Sequence, residues 1–213
     1  MSTDRRPCGL VAILRGLSPT DAEQVGRILV EAGFRFLEVP LNSPYPLESI
    51  SILRRTLPAD VVIGAGTVLT VDDVQAVCAA GAQAVVSPNT DRDVVAASVA
   101  AGMISLPGVA TVSEAMTAIR CGARTLKLFP AAQVGREAMR AWRAVLPPDV
   151  QLVPVGGVGP EELGPWISDG ATGFGIGTAL YRPDATPERI RAAAEDMVRA
   201  WNEAVPLLRA LPG

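Results

Sequence analysis

One pattern recurs along this chain and limits its fold more than any other. An amphipathic stretch runs into a glycine, and a short apolar run follows. Pro19–Ala32 leads to Gly33 and then Phe36–Leu41. Val71–Ala80 leads to Gly81 and Ala84–Ser87, and Arg92–Ala101 to Gly102 and Met103–Leu106. Ser113–Cys121 leads to Gly122 and Thr125–Phe129, and Pro160–Asp169 to Gly170 and Gly173–Ile176. A glycine at the end of a helical pattern suits the left-handed residue that closes a helix. Ser18, followed by Pro19, and Thr70 are predicted N-caps. Leu10–Leu14, Val61–Gly64 and Gln151–Val155 complete a set of eight apolar runs. Runs this short, several of them rich in Val and Ile, suit parallel strands buried on both faces.

Eight strands, each followed by a helix, predict an α/β fold, a single-domain (β/α)8 TIM barrel over residues 1–213. An open doubly wound sheet would leave two of the units unused. Barrels run from about 200 to over 400 residues, so little chain remains for long insertions and the loops must be short.

Composition removes many chemistries. There is no histidine, and of 19 basic residues only Lys127 is a lysine; the other 18 are arginine. A Ser-His-Asp triad, a Cys-His pair and an imidazole metal site are excluded. A Walker A loop needs Ser or Thr after its lysine, whereas Leu128 follows Lys127. The net charge of −3 and the scattered arginines give no electrostatic reason to bind nucleic acid. Cys8, Cys78 and Cys121 form no CxxC and are odd in number, which points to a reducing, cytoplasmic setting. The apolar stretch before Arg15 is too short for a signal core or a membrane span.

Active sites of such barrels lie at the C-terminal ends of the strands. The polar residues there are Arg15-Gly16, Glu38, Asn42-Ser43, Thr67, Asn89, Lys127, Gly156-Gly157 and Gly177-Thr178. Strand side chains alternate between faces. If Leu126 and Leu128 meet the helices, Lys127 points into the barrel; if Leu37 and Val39 do, so does Glu38. Bland readings compete at each position. Lys127 could snorkel to solvent from an edge strand, Glu38 could be a structural ion-pair partner, and Arg15 a surface cation. The glycine pairs could be tight turns, or a cradle where backbone approaches an anion, such as a phosphate held beyond strands seven and eight.

An inward amine can attack a ketone to give an iminium, which holds the electrons left when a neighbouring C–C bond breaks. An apolar wall and Arg15 favour the neutral amine. With histidine absent, Glu38 is the natural proton carrier. The planar fork of Arg15 suits a substrate carboxylate.

Several motifs together then resemble a known family. They are Val11-Ala12-Ile13-Leu14-Arg15-Gly16, Leu37-Glu38-Val39-Pro40-Leu41-Asn42-Ser43-Pro44, Ile63-Gly64-Ala65-Gly66-Thr67-Val68-Leu69, Leu126-Lys127-Leu128-Phe129-Pro130 and Val155-Gly156-Gly157-Val158. In this order they are similar to the class I 2-keto-3-deoxy-6-phospho-sugar-acid aldolases, over about residues 8 to 205. The gluconate branch of that family typically has Thr-Leu-Arg-Thr after its glutamate and Pro-Thr-Gly-Gly at strand seven. Here those positions read Pro40-Leu41-Asn42-Ser43 and Pro154-Val155-Gly156-Gly157, and Arg15 ends strand one, as in the galactonate branch.

The resemblance implies Lys127 as Schiff-base nucleophile, Glu38 as general acid and base, and Arg15 with Thr67 on the pyruvyl carboxylate. It implies Gly156, Gly157, Gly177 and Thr178 around the 6-phosphate and Val155 beside the C4 hydroxyl. It also implies a small phosphorylated keto-acid substrate, no cofactor and no metal, and a homotrimer. Thr178 stands where the family often has serine, and Ala131 where serine is frequent; neither touches the amine or the carboxylate. The competing functions are the gluconate or 4-hydroxy-2-oxo-acid activity, a non-catalytic pyridoxal-phosphate carrier and a phosphosugar-binding barrel.

Overall fold

The glycine stops do what the sequence pattern asks of them. In the computed structural model, which describes residues 8–209, Gly33, Gly81, Gly102, Gly122 and Gly170 all have positive φ. Each is followed by a residue whose N–H donates to the carbonyl five residues back: Phe34 to Leu29, Ala82 to Val77, Met103 to Ser98, Ala123 to Ala118 and Ala171 to Trp166. This is the Schellman closure, which satisfies carbonyls a helix end leaves open. Each closed helix is then turned straight into a strand.

The elements alternate from the first. Strand β1 (Gly9–Ile13) precedes helix α1 (Pro19–Ala32), β2 (Phe36–Pro40) precedes α2 (Pro46–Thr56), and β3 (Val62–Gly66) precedes α3 (Val71–Ala79). Strand β4 (Ala84–Val86) precedes α4 (Arg92–Ala100). Two short strands, β5 (Ile104–Leu106) and β6 (Gly108–Val109), precede α5 (Val112–Arg120). Then come β7 (Thr125–Leu128), α6 (Ala131–Arg143), β8 (Gln151–Pro154), α7 (Leu163–Ser168), β9 (Gly173–Ile176), α8 (Pro187–Ala204) and a last turn, α9 (Pro206–Arg209).

Thr70 caps α3 as expected. Its hydroxyl accepts from the Asp73 N–H at 3.1 Å, and Asp73 accepts from the Thr70 N–H at 3.0 Å, a capping box that Thr111 and Glu114 repeat on α5. Ser18 makes no such bond. Its hydroxyl donates to the Asp21 carboxylate at 2.7 Å instead. The expected helix Pro160–Asp169 is also shorter than its pattern, with a 3-10 turn over Pro160–Glu162 and α7 only from Leu163. Pro165 lacks an N–H and crowds the carbonyl four residues back, so it sits within the first turn of α7 rather than mid-helix.

Every strand pairing is parallel. The strands form a six-stranded sheet ordered β5-β4-β3-β2-β1-β9, curled into a half-barrel, and a three-stranded sheet ordered β6-β7-β8. The fifth expected strand is where they part. Pro107 follows β5 and cannot donate to a ladder, so β5 pairs with β4 while β6 pairs with β7. Hydrogen bonds still cross this seam: the Lys127 N–H donates to the Pro107 carbonyl at 3.0 Å, and the Gly108 N–H of β6 donates to the Asn89 carbonyl, beyond β4, at 3.2 Å. At the other seam a single bridge joins Val155 to Gly175.

The two faces of the strands bury different material. Leu10, Ala12, Leu37, Val39, Ile63, Ala65, Val85, Leu126, Leu128, Leu152, Phe174 and Ile176 join one large cluster with the helices. The alternate positions form two small clusters on the inner face. One contains Val11, Phe36, Ala84, Val86 and Leu106; the other contains Ile13, Val153 and Val155, with Phe129 against them. Glu38 and Lys127 occupy inner-face positions in the same alternation.

Candidate active site

Glu38 lies on β2 and Lys127 on β7, and both are buried, at 2% and 7% exposure. Burying a charge is costly, and each group answers by moving toward its neutral form. Burial pushes the Glu38 carboxyl up to about 7, against the pull of the Lys127 and Arg15 charges. Burial also pushes the Lys127 amine down; nearby Arg15 adds to that and Glu38 opposes it. Each feels the other and both feel Arg15, so the three lie within electrostatic reach around one space. The Lys127 Nζ sits 4.6 Å from the centre of the Phe129 ring. Among the described residues, Glu38 Oε2 has no hydrogen-bond partner.

The carboxylate of Glu38 leans along its strand toward the C-terminal ends and lies over Gly66 of β3. Thr67 follows in a left-handed conformation, φ 57°. For a β-branched residue that is a genuine outlier, held by its surroundings. The next residue is part of that hold, since the Ser87 hydroxyl donates to the Val68 carbonyl at 2.8 Å.

Arg15 stands at the rim, exposed, just past β1. Its Nη1 donates to Asn42 Oδ1 at 2.8 Å. Beside it the Gly16 N–H donates to the Ser43 hydroxyl at 2.9 Å. The loops after β1 and β2 are therefore tied twice. An Asn42→Asp substitution is expected to set a carboxylate on the Arg15 fork; if Arg15 is an anchor for a substrate carboxylate, the two will compete. Steady-state kinetics should show KM raised about tenfold, with kcat changed much less.

Beyond β8, Gly156 and Gly157 both have positive φ, 101° and 80°. Beyond β9, Gly177 has open space beside it, and its carbonyl accepts from Leu180 and Tyr181 at 2.9 and 3.0 Å. Thr178 is exposed. The Val155–Gly175 bridge brings the two glycine turns to adjoining strand ends. Val155 packs on the inner face with Ile13 and Val153. A side chain on Gly175 would come within 2.6 Å of Val155 Cγ2.

Lys127, Glu38 and Arg15 are thus brought together electrostatically, and Val155, Gly156, Gly157, Gly177 and Thr178 share one pair of neighbouring strand ends. Thr67 follows Gly66, on which Glu38 lies, and its side chain is not among the groups that bond Arg15 or Lys127 in the described residues. Sequence reading places Asn42 and Ser43 among the polar strand-end residues without giving them a role, and does not single out Phe129 or Gly66. The alternation Gly64-Ala65-Gly66, small at each inner-face position beside the strand that carries Glu38, is the signal that could have pointed to Gly66. No group of three His, Cys, Asp or Glu able to hold a metal occurs among the described residues.

A parallel α/β fold that keeps one amine and one carboxylate on its inner face has the arrangement of an enzyme acting on carbonyl carbon. The chain belongs to the KDPG and KHG aldolase family, which matches residues 4–191. It is 42% identical to the 2-dehydro-3-deoxy-6-phosphogalactonate aldolase of Escherichia coli K12 over 196 residues, 92% of this chain and 96% of that one. A solved structure described as native KDPGal superposes with a TM-score of 0.91 at 40% identity, covering 97% of this chain and 98% of that one. A KDPG aldolase from Legionella pneumophila, with pyruvate captured at low pH as a covalent carbinolamine, superposes at 0.76 with 26% identity, covering 94% and 95%.

Proposed function

We propose that this chain is the class I aldolase that cleaves 2-dehydro-3-deoxy-6-phosphogalactonate to pyruvate and glyceraldehyde 3-phosphate. The observation that carries this reading is the pair of buried inner-face groups, Lys127 and Glu38, within electrostatic reach of each other, with Glu38 Oε2 lacking a hydrogen-bond partner among the described residues.

Neutral Lys127 Nζ adds to C2 of the keto acid, and the carbinolamine loses water with a proton from Glu38, leaving an iminium. The Glu38 carboxylate then takes the proton of the C4 hydroxyl, through water. The C3–C4 bond breaks, its electron pair passes to the iminium nitrogen, and the aldehyde departs. Glu38 returns its proton to C3 of the enamine, and water hydrolyses the resulting iminium, the released proton going back to the Glu38 carboxylate as pyruvate and the free amine separate. A carboxyl with a pKa about 7 is suited to both directions of transfer near neutral pH. The covalent carbinolamine of the Legionella relative is the first adduct of this sequence.

Arg15, oriented by Asn42, takes the substrate carboxylate with Thr67. Gly156, Gly157, Gly177 and Thr178 hold the 6-phosphate on backbone groups, where small residues allow close approach. Val155 sets the sense of the C4 hydroxyl. We read the two sheets as one (β/α)8 barrel, its wall interrupted at Pro107 and joined by the Val155–Gly175 bridge, in a single domain. The enzyme is a cytoplasmic homotrimer that takes a small phosphorylated keto acid, with neither nucleic acid nor membrane as partner. No helix among the described residues is long and apolar enough to cross a membrane.

The test compares kcat/KM on the two C4 epimers. The galactonate epimer is expected to win, and a large preference for the gluconate epimer would sink the assignment. Val155→Thr adds a hydroxyl at the place read as facing C4, and is expected to shrink the preference about tenfold, the scale of one hydrogen bond. Unchanged selectivity would remove Val155 from the recognition of C4.

A further inference from the structure

Gly66 is a glycine whose backbone does not require one. Its φ lies outside the left-handed region, unlike those of Gly156 and Gly157. A strand position is also a poor place for glycine, which loses more freedom on folding than alanine, and Gly66 is the last residue of β3. Space explains it. The three heavy atoms nearest to a side chain built at Gly66 are Glu38 Oε2, Cδ and Oε1, the last two at 2.6 and 2.7 Å. Apart from Gly66 and its two chain neighbours, no other residue comes as near. Gly64, two residues earlier on the same strand, differs: its neighbours are the Phe36 ring at 3.1 Å and Ala84 at 3.3 Å, closer than most side-chain contacts but not so close that something must shift, and none of them is a carboxylate.

Pro40 pairs with Gly66 across the β2–β3 ladder, and Glu38 pairs with Gly64. The carboxylate therefore reaches forward by one inner-face position and lies on bare backbone. With a methyl group there it would be lifted off β3 toward the space it shares with Lys127 and Arg15.

Building on the Schiff-base reading above, we propose that Gly66 is a positioning residue: its missing side chain is the seat that sets where the Glu38 carboxylate stands relative to the substrate bound on Lys127. The proton donor must come within hydrogen-bond reach of the atom it serves, and an error of about 1 Å costs about 100-fold in rate.

The experiment is a set of variants of the whole enzyme. Wild type must cleave the phosphorylated keto acid and, with pyruvate and borohydride, retain a covalent mass on the Lys127 peptide. Failure of that arm refutes the function, not the seat. Gly66→Ala is expected to lower kcat about 100-fold while the Lys127 peptide still gains the mass. Shortening the acid in the double variant Glu38→Asp/Gly66→Ala vacates the crowded spot and should raise kcat at least about tenfold above Gly66→Ala alone. Thermal unfolding supplies a readout without turnover. Gly66→Ala should lower Tm in the wild-type background and change it little in a Glu38→Ala background. A kcat within threefold of wild type for Gly66→Ala overturns the proposal. So do singles whose effects merely multiply in the double variant, or an equal loss of Tm in both backgrounds.

Discussion

Lys127→Ala is expected to lower kcat by at least about 1,000-fold, because it removes the atom that bonds to the substrate and not merely a contact. Lys127→Arg should do the same. Arginine keeps the positive charge and most of the length, but its guanidinium stays protonated and cannot add to a ketone. The pair of variants separates nucleophile from counter-ion: were Lys127 only a partner for buried Glu38, arginine would restore much of the rate. Borohydride with pyruvate should add a stable mass to the wild-type peptide containing Lys127, and to neither variant. Wild-type protein of unchanged mass would end the Schiff-base mechanism. The burial that pushes the amine down works in the enzyme's favour, since an ordinary lysine at neutral pH is almost wholly protonated.

The second large effect is at Glu38, where activity and stability are expected to move in opposite directions. Glu38→Gln keeps the shape and loses the proton carrier, so kcat should fall about 100- to 10,000-fold. The amine also loses the neighbour that raises its pKa, which leaves it more neutral. Addition of the amine to pyruvate, read as the borohydride-reduced iminium on the Lys127 peptide, should therefore outlast turnover.

Stability follows from linkage. Glu38 goes from an ordinary 4.5 unfolded to about 7 folded, so between these values the native state binds more protons than the unfolded one. Stability then falls as pH rises through that window and levels off above it. The full difference is on the order of 3 kcal/mol, the cost of ionising a carboxyl in a nearly dry place. Glu38→Gln, which never ionises, should match wild type near pH 4 and exceed it by up to about that amount at pH 8. Denaturant melts at the two pH values check this. A wild type that gains stability on going from pH 5 to pH 8 relative to Glu38→Gln would show that the carboxylate is stabilised by its partners instead.

Much of the architecture was legible because it is local. A glycine four residues beyond the carbonyl it helps to close is a matter of backbone sterics, and all five helix stops fell where glycine stood. The alternation of inner and outer strand residues is likewise a short-range rule, and the leucines and valines flanking Glu38 and Lys127 face the helices. Where local signals competed, tertiary packing decided. Ser18 had a carboxylate within reach and bonded it instead of the helix. Pro165 sat too far inside its pattern, so α7 began late. The fifth apolar run divided at Pro107, since its two halves serve different neighbours.

The sequence by itself determined which chemistry this protein can perform. With no histidine and a single lysine, an amine mechanism rests on Lys127 and its proton traffic on a carboxylate, because side-chain chemistry is a property of the residue. Only the tertiary structure decided which carboxylate stands over Gly66, that Asn42 holds the Arg15 fork, and that Glu38 and Lys127 share a space dry enough to draw both toward neutrality. Those facts belong to pairs of residues brought together by strand register from distant parts of the chain. Burial and field, which set the protonation states, exist only once the strands have assembled.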